Sequence, residues 1–343
     1  MPPARRLLSS VALVLLTALW GRSAGAQTTE RASVASDGRT EGNDASLGSA
    51  ISADGRFVAF DSAASNLVVG DTNGAADVFV HDRQAGTTER VSVASAGTQG
   101  NGSSGLIGFA FPPALSADGR FVAFVSLASN LVAGDTNAST DVFVRDRLTG
   151  TTERVSVASG GAGGNAGSLG SALSADGRFV AFQSDASNLV AGDTNGVTDV
   201  FVRDRLTGMT ERVSVASDET QGDGASTYPA LSADGRFVAF QSDASNLVAG
   251  DTNGATDVFV RDRQTGTTER VSVASGGGTQ GNRNSGGFFA FPALSADGRL
   301  VAFESDATNL VATDTNGATD VFVHDRLTGT TERVSVASGG SQG

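Results

Sequence analysis

Neither cysteine nor lysine occurs anywhere in the chain. Without cysteine there are no disulfides, so stability must come from core burial, hydrogen-bond ladders or bound ions. Without lysine every basic side chain is arginine, 24 in all against 37 acids. An acidic chain with no basic cluster excludes nucleic acid and anionic lipid as natural partners. Trp20 and Tyr228 are the only residues of their kinds, so phenylalanine, with 19 copies, is the core aromatic. No stretch shows a helical period, and long apolar runs are missing apart from Leu7 to Trp20, which is too short to span a membrane comfortably.

That one run has a purpose. Arg5 and Arg6 precede it, and Ala24 and Ala26 follow at the small-residue positions of a cleavage site. Residues 1–26 read as a secretory signal peptide, cut before Gln27, which makes the mature chain secreted or periplasmic. Cleavage removes three arginines and no acid, leaving 21 basic against 37 acidic residues and a net charge of −16. No transmembrane segment is expected in the mature chain.

What remains is repetitive. "SADGR" begins at Ser52, Ser116, Ser174, Ser232 and Ser295, and "DTN" at Asp71, Asp135, Asp193, Asp251 and Asp314, both with steps of 64, 58, 58 and 63. A block ending "TER" closes each copy, and a sixth such block, "TTERASVAS", stands alone at residues 28–36. Fixed long periods indicate a solenoid, a propeller or an array. Each copy reads as four strands: a short "PALS" piece, "RFVAFQS", "DVFVRDR" and "TTERVSVAS", with Asp-Gly and Thr-Gly hairpin turns between. Both faces of such a meander carry apolar side chains. Radial packing of sheet on sheet buries both, so the predicted fold is all-β, a β-propeller of four-stranded antiparallel blades. An open array of β-sandwich modules is the weaker solution, since each copy is small for an independent core.

"ALSADGRFVAFQSDASN…DVFVRD" resembles the TolB-type, WD-repeat-like propeller repeat. The resemblance covers every copy and implies a propeller blade. It implies little about function, because the amino-terminal α/β domain of TolB has no counterpart here. The expected organisation is a signal peptide at 1–26 and a propeller at 27–343. An extra strand lies at 28–36, with blades at about 48–95, 112–159, 170–217, 228–275 and 291–338. A five-bladed ring is favoured over part of a larger array. Residues 28–36 and 330–338, being near-copies, are expected to fit the same outer edge of the last blade.

In a meander the "ADG" and "TG" turns share one face, and the "DTNG" loops share the other with the variable linkers. Each loop offers Asp, Asn and Asp at positions one, three and seven. The sets are Asp71, Asn73 and Asp77; Asp135, Asn137 and Asp141; Asp193, Asn195 and Asp199; Asp251, Asn253 and Asp257; and Asp314, Asn316 and Asp320. Alternating oxygen donors on a tight loop can wrap Ca²⁺, although a full EF-hand set is not present. The competing reading is turn and strand-cap chemistry. Gly74 becomes Ala138 and Gly250 becomes Thr313 while the acids and amide persist, which argues against turn geometry alone.

His81 and His324 share a third-strand slot with Arg145, Arg203 and Arg261, and that exchange suggests a solvated position rather than a general base. Asp262, Glu269 and Arg270 read as cross-strand pairs. Two linkers carry apolar side chains, Ile107, Phe109 and Phe111 in one, Phe288, Phe289 and Phe291 in the other. They either form a binding patch or fold inward as extra first-strand residues or a channel plug. No nucleophile elbow, histidine cluster or phosphate loop is present. The function read from this is a secreted non-catalytic binding or scaffold module for a protein or glycan on the loop face. A secreted hydrolase or lyase acting on polysaccharide, and an envelope structural component, are the alternatives.

Overall fold

The computed structural model describes residues 29–105, 111–276, 278–287 and 290–342. The signal peptide expected at 1–26, and Ile107, Phe109, Phe288 and Phe289, lie outside them. Residues 32–343 form one compact unit, and the few described residues before Ala32 belong to another.

The described residues hold twenty strands and no helix, arranged as five antiparallel four-stranded meanders spanning 46–90, 114–154, 168–212, 226–270 and 293–333. Blade 3 is representative, with strands Ser168–Leu173, Phe179–Ser184, Asp199–Asp204 and Met209–Arg212. Alternation places Val180 and Phe182 on the face toward blade 2 and Ala181 on the face toward blade 4. On the third strand, Val200 and Val202 point to blade 4 and Phe201 to blade 2. The valines of one blade therefore press into the phenylalanine and leucine side chains of the next. This pattern yields four inter-blade cores, between blades 1 and 2, 2 and 3, 3 and 4, and 4 and 5. Five blades are present, but among the described residues no such core joins blade 5 to blade 1, and closure of the favoured ring is not seen.

The first strands of neighbouring blades touch and line the centre. They are full length in blades 1, 3 and 4 but only Ala114–Leu115 and Ala293–Leu294 in blades 2 and 5, the two entered by the phenylalanine-rich linkers. The "SADG" turns are linked from blade to blade by backbone hydrogen bonds. Ala53 N–H donates to Ala117 O, Ala117 to Ala175, Ala175 to Ala233 and Ala233 to Ala296, each at 2.9 Å. Cation–π contacts reinforce the seams: Phe121 lies between Arg120 of its own blade at 4.6 Å and Arg205 of the next at 4.5 Å.

The reading of "TTERVSVAS" as one strand needs correction. The fourth strand ends at Arg90, and the following residues cross to the next blade. Ser95 Oγ accepts from Thr152 N–H at 2.9 Å, and Thr152 Oγ donates to Val93 O at 2.5 Å. The same crossing joins Ser159 to Thr210, Ser217 to Thr268 and Ser275 to Thr331. Ser36 makes it to Thr88 at 3.0 Å, so the solitary amino-terminal block covers the first blade, not the last. Its described residues form no strand, only a single bridge from Val34 to Glu41. The near-copy at 330–338 contributes Thr330–Arg333 to blade 5 itself. Near-identical sequences thus end on different blades, because each belongs to the seam that follows it.

Candidate functional site

The Asp-x-Asn loops connect the second and third strands of every blade and meet the linkers on one face. Thr72 Oγ accepts from Gln99 Nε2 at 2.7 Å, and Asn73 Nδ2 donates to Gly100 O at 3.0 Å. All fifteen loop residues singled out from the sequence lie here. Their third partner was not foreseen. The arginine of "TER" inserts one guanidinium nitrogen between the two carboxylates of its own loop. Arg90 lies 3.0 Å from Asp71 and 3.1 Å from Asp77. Arg154, Arg212, Arg270 and Arg333 repeat the contact at 3.0–3.3 Å.

The remaining capacity of the inner carboxylate is also used. Asp77 Oδ1 accepts from Ser92 Oγ at 2.5 Å, and Oδ2 accepts from Asn73 Nδ2 at 3.0 Å. Asp199 is treated alike by Ser214 at 2.5 Å and Asn195 at 2.9 Å. Burial raises the carboxyl pKa of Asp71, Asp135, Asp193 and Asp251, and the neighbouring aspartate adds to it.

This donor set differs from what Ca²⁺ requires. Ca²⁺ takes about six to eight oxygens at roughly 2.3–2.6 Å. Here a guanidinium already sits between the acids, and the asparagine turns its NH₂ toward the inner acid. Among the described residues no group of three or more acids or histidines is arranged to hold a metal. The arrangement suits an arginine, not a hard cation. Half of the sequence argument dissolves: Gly74 has φ of 65°, and Ala138 in its place keeps a left-handed φ of 52°, whereas Thr313, in the place of Gly250 with φ of 76°, leaves the left-handed region.

The histidine slot is buried rather than solvated. His324 Nδ1 lies 2.8 Å from Thr331 Oγ, itself bonded to Val273 O of the previous copy at 2.5 Å. Arg145 serves the same seam by donating to Gly150 O, Thr152 Oγ and Ala94 O at 2.8, 3.0 and 3.3 Å. These side chains lock the crossing segment. The cross-strand pairs also differ from expectation. Asp262 pairs with Arg236 at 2.6 Å, Glu269 with Arg326 of the next blade at 2.5 Å, and Arg270 with its own loop acids.

What differs between blades gathers at the centre of the loop face. Phe111, from the first long linker, stacks on Tyr228 at 5.8 Å, and Phe291, from the second, meets Tyr228 edge-on at 4.7 Å. Phe111 is buried, whereas Phe291 touches the same ring but stays 38% exposed. Tyr228 stands where blades 1 and 3 have Gly48 and Gly170, at a first-strand bulge with φ of 55°. A tyrosine held in left-handed backbone aims its ring at partners that a regular strand would not reach. The sequence signal was its singularity in an otherwise glycine position. Beside it lies an open cleft of about 330 Å³ lined by Tyr228, Gln241, Asp243, Thr256 and Asn284. Gln241 Oε1 accepts from Gly287 N–H at 3.0 Å and fixes the linker forming one wall.

No family model and no curated protein matches the chain. Solved structures do. TolB from Acinetobacter baumannii is 18% identical with a TM-score of 0.47, covering 84% of this chain and 53% of its own. A puromycin-hydrolyzing peptidase of Mycobacterium tuberculosis is 14% identical with a TM-score of 0.49, covering 84% of this chain and 37% of its own. The β-propeller domain of the Trilobed protease from Pyrococcus furiosus is 9% identical with a TM-score of 0.50, covering 85% of this chain and 72% of its own. The chain therefore spans about half of that TolB and about a third of the peptidase. Among the described residues no helix is long and apolar enough to cross a membrane. The chain has a β-propeller fold of five four-stranded blades.

Proposed function

We propose that the chain is an exported, non-catalytic binding module, and that its partner, a protein or a glycan, engages the loop face at the cleft beside Tyr228. One observation carries this reading. The repeated carboxylates are committed to internal arginine clamps, so they build the face, and the side chains that differ between blades meet around Tyr228. General acid–base chemistry needs a carboxyl group free to reach a substrate proton. Asp77 and Asp199 are fully buried and hydrogen-bonded on both oxygens. The cleft is lined by amide, hydroxyl and carboxylate groups from Gln241, Thr256, Asn284 and Asp243 beside the Tyr228 ring, held in place by bonds from Thr256 to Asp243 and Asn284. That mixture fits polar ligands positioned by a few hydrogen bonds. The signal-peptide pattern of the sequence at residues 1–26 supports export.

The test compares wild type with the double substitution Asp243→Ala, Asn284→Ala on an oligosaccharide panel and on an extracted envelope-protein fraction. Wild type should retain a species that the variant loses while the variant stays folded, since it gives up only the contacts of these two side chains to Thr256. Polysaccharide depolymerisation by purified wild type would replace this reading with a hydrolase or lyase.

A further inference from the structure

The unsealed seam exposes one face that the other four seams bury. Val78, Val142, Val200 and Val258 are 0% exposed, but Val321 of blade 5, at the same position, is 37% exposed. Val91, Val155, Val213 and Val271 are at most 1% exposed, and Val334 is 44% exposed. Val336 follows at 42%. In each internal seam these valines press on a phenylalanine, alanine and leucine set, such as Phe124, Ala128 and Leu131 of blade 2. Blade 1 carries that set as Phe60, Ala64 and Leu67, in a cluster containing no residue of another blade.

The cover over that cluster is incomplete. The segment after Ala32 supplies what a crossing segment supplies elsewhere: Ser36 on Thr88, and Gly42 backed against Ala64 and Leu67. It brings no counterpart of the third-strand valines. Leu47, Val58 and Phe60 consequently line an open groove of about 360 Å³, and Leu47 is 47% exposed. Where the other copies place a buried valine after "TER", this one has Ala32. The chain thus carries the missing half of the interface at its other end, with valine at position 334.

We propose that a second copy of the chain docks its first blade head to tail against the open face of blade 5. Residues 334–338 of one copy take the place that 32–36 hold on the other, because both cannot occupy Thr88 at once. The amino-terminal segment is then a displaceable cover that opposes self-association. Exchange replaces Ala32 with Val334 and adds the packing of Val321 and Val323, which favours the docked state. The two halves lie on opposite ends of one chain, so the contact is heterologous. The net charge of −16 on the mature chain opposes it, and added salt should strengthen it.

Sedimentation velocity over a wide concentration range at moderate salt tests this. Wild type should form a species heavier than monomer, and removal of residues 27–36 should tighten association by about tenfold or more. If that truncation unfolds the chain, Ser36→Ala loosens the cover by its two hydrogen bonds and should act in the same direction. Val321→Asp, at a position already exposed in the single chain, should abolish association and leave the melting temperature unchanged. Wild type and the folded cover variant both remaining monomeric at every concentration overturns the proposal. So does association that survives Val321→Asp, or a Val58→Cys, Val321→Cys pair that cross-links within one monomer.

Discussion

Arg212 holds one guanidinium nitrogen 3.1 Å from Asp199, a carboxylate with no solvent exposure of its own. The same nitrogen is 3.1 Å from Asp193, so one cation neutralises two acids of a loop that would otherwise repel. An ion pair this buried is strongly destabilised when one partner is removed, because the other charge stays in the interior uncompensated. Arg212→Ala is expected to cost about 3–5 kcal/mol in urea unfolding. Wild type should melt identically in millimolar Ca²⁺ and in excess chelator. The variant, with its acids no longer neutralised, should gain a calcium-dependent rise in melting temperature. A chelator-induced drop in wild type would return the loops to the metal reading.

Gly177 and Gly55 occupy the same turn position with φ of 72° and 73°, yet they face different surroundings. A Cβ at Gly177 would lie 2.2 Å from the Phe121 ring of the previous blade, whereas at Gly55 it would meet nothing nearer than 3.7 Å. Gly55→Ala should therefore cost only the left-handed backbone term of about 1–2 kcal/mol. Gly177→Ala should cost about 1–3 kcal/mol more, from overpacking at the seam. Pairing Gly177→Ala with Phe121→Ala should recover that extra part, and a double-mutant cycle reads it directly. Equal costs at the two glycines would show that the seam yields without strain.

Much of this fold was legible because its repeat is dense. "SADGR", "DVFV" and "TER" recur at fixed offsets, and alternation alone marks both faces of "RFVAFQS" as apolar. The crossing of Ser95 to Thr152 was not legible, because "VSVAS" alternates just as a strand does and only the position of the next blade separates the two. Burial of His324 was hidden for the same reason, since the segment that covers it comes from the previous copy. The arginine clamp did leave a trace. Arg90 follows Asp77 by 13 residues, and the spacing holds for Arg154, Arg212, Arg270 and Arg333. An invariant offset between an acid and a base across five diverging copies signals a pair. Tyr228 was visible as the only tyrosine, but not its left-handed backbone, which depends on a bulge that pattern reading does not register.

His324 supplies a pH signature. Its Nδ1 faces Thr331 Oγ, whose own proton is committed to Val273 O, so the ring donates there. Burial lowers its pKa below 6.5, opposed by Glu269 and Asp325 and assisted by Arg326. A histidine depressed in the folded state contributes stability that is complete above the unfolded pKa. That stability is lost as pH falls through about 6.5 toward the folded value. The buried loop acids act with the opposite sign: Asp71 and its equivalents have raised pKa values, so the folded state takes up their protons first as pH falls. The total pH dependence mixes the two, but a difference between variants does not. Three other blades place arginine in this slot, so His324→Arg should fold and keep its charge throughout. Unfolding free energies of wild type and His324→Arg, measured from about pH 8 to about pH 5, should diverge below about 6.5, with wild type losing ground. A gap that stays constant across that range would show that His324 is not held neutral by its burial.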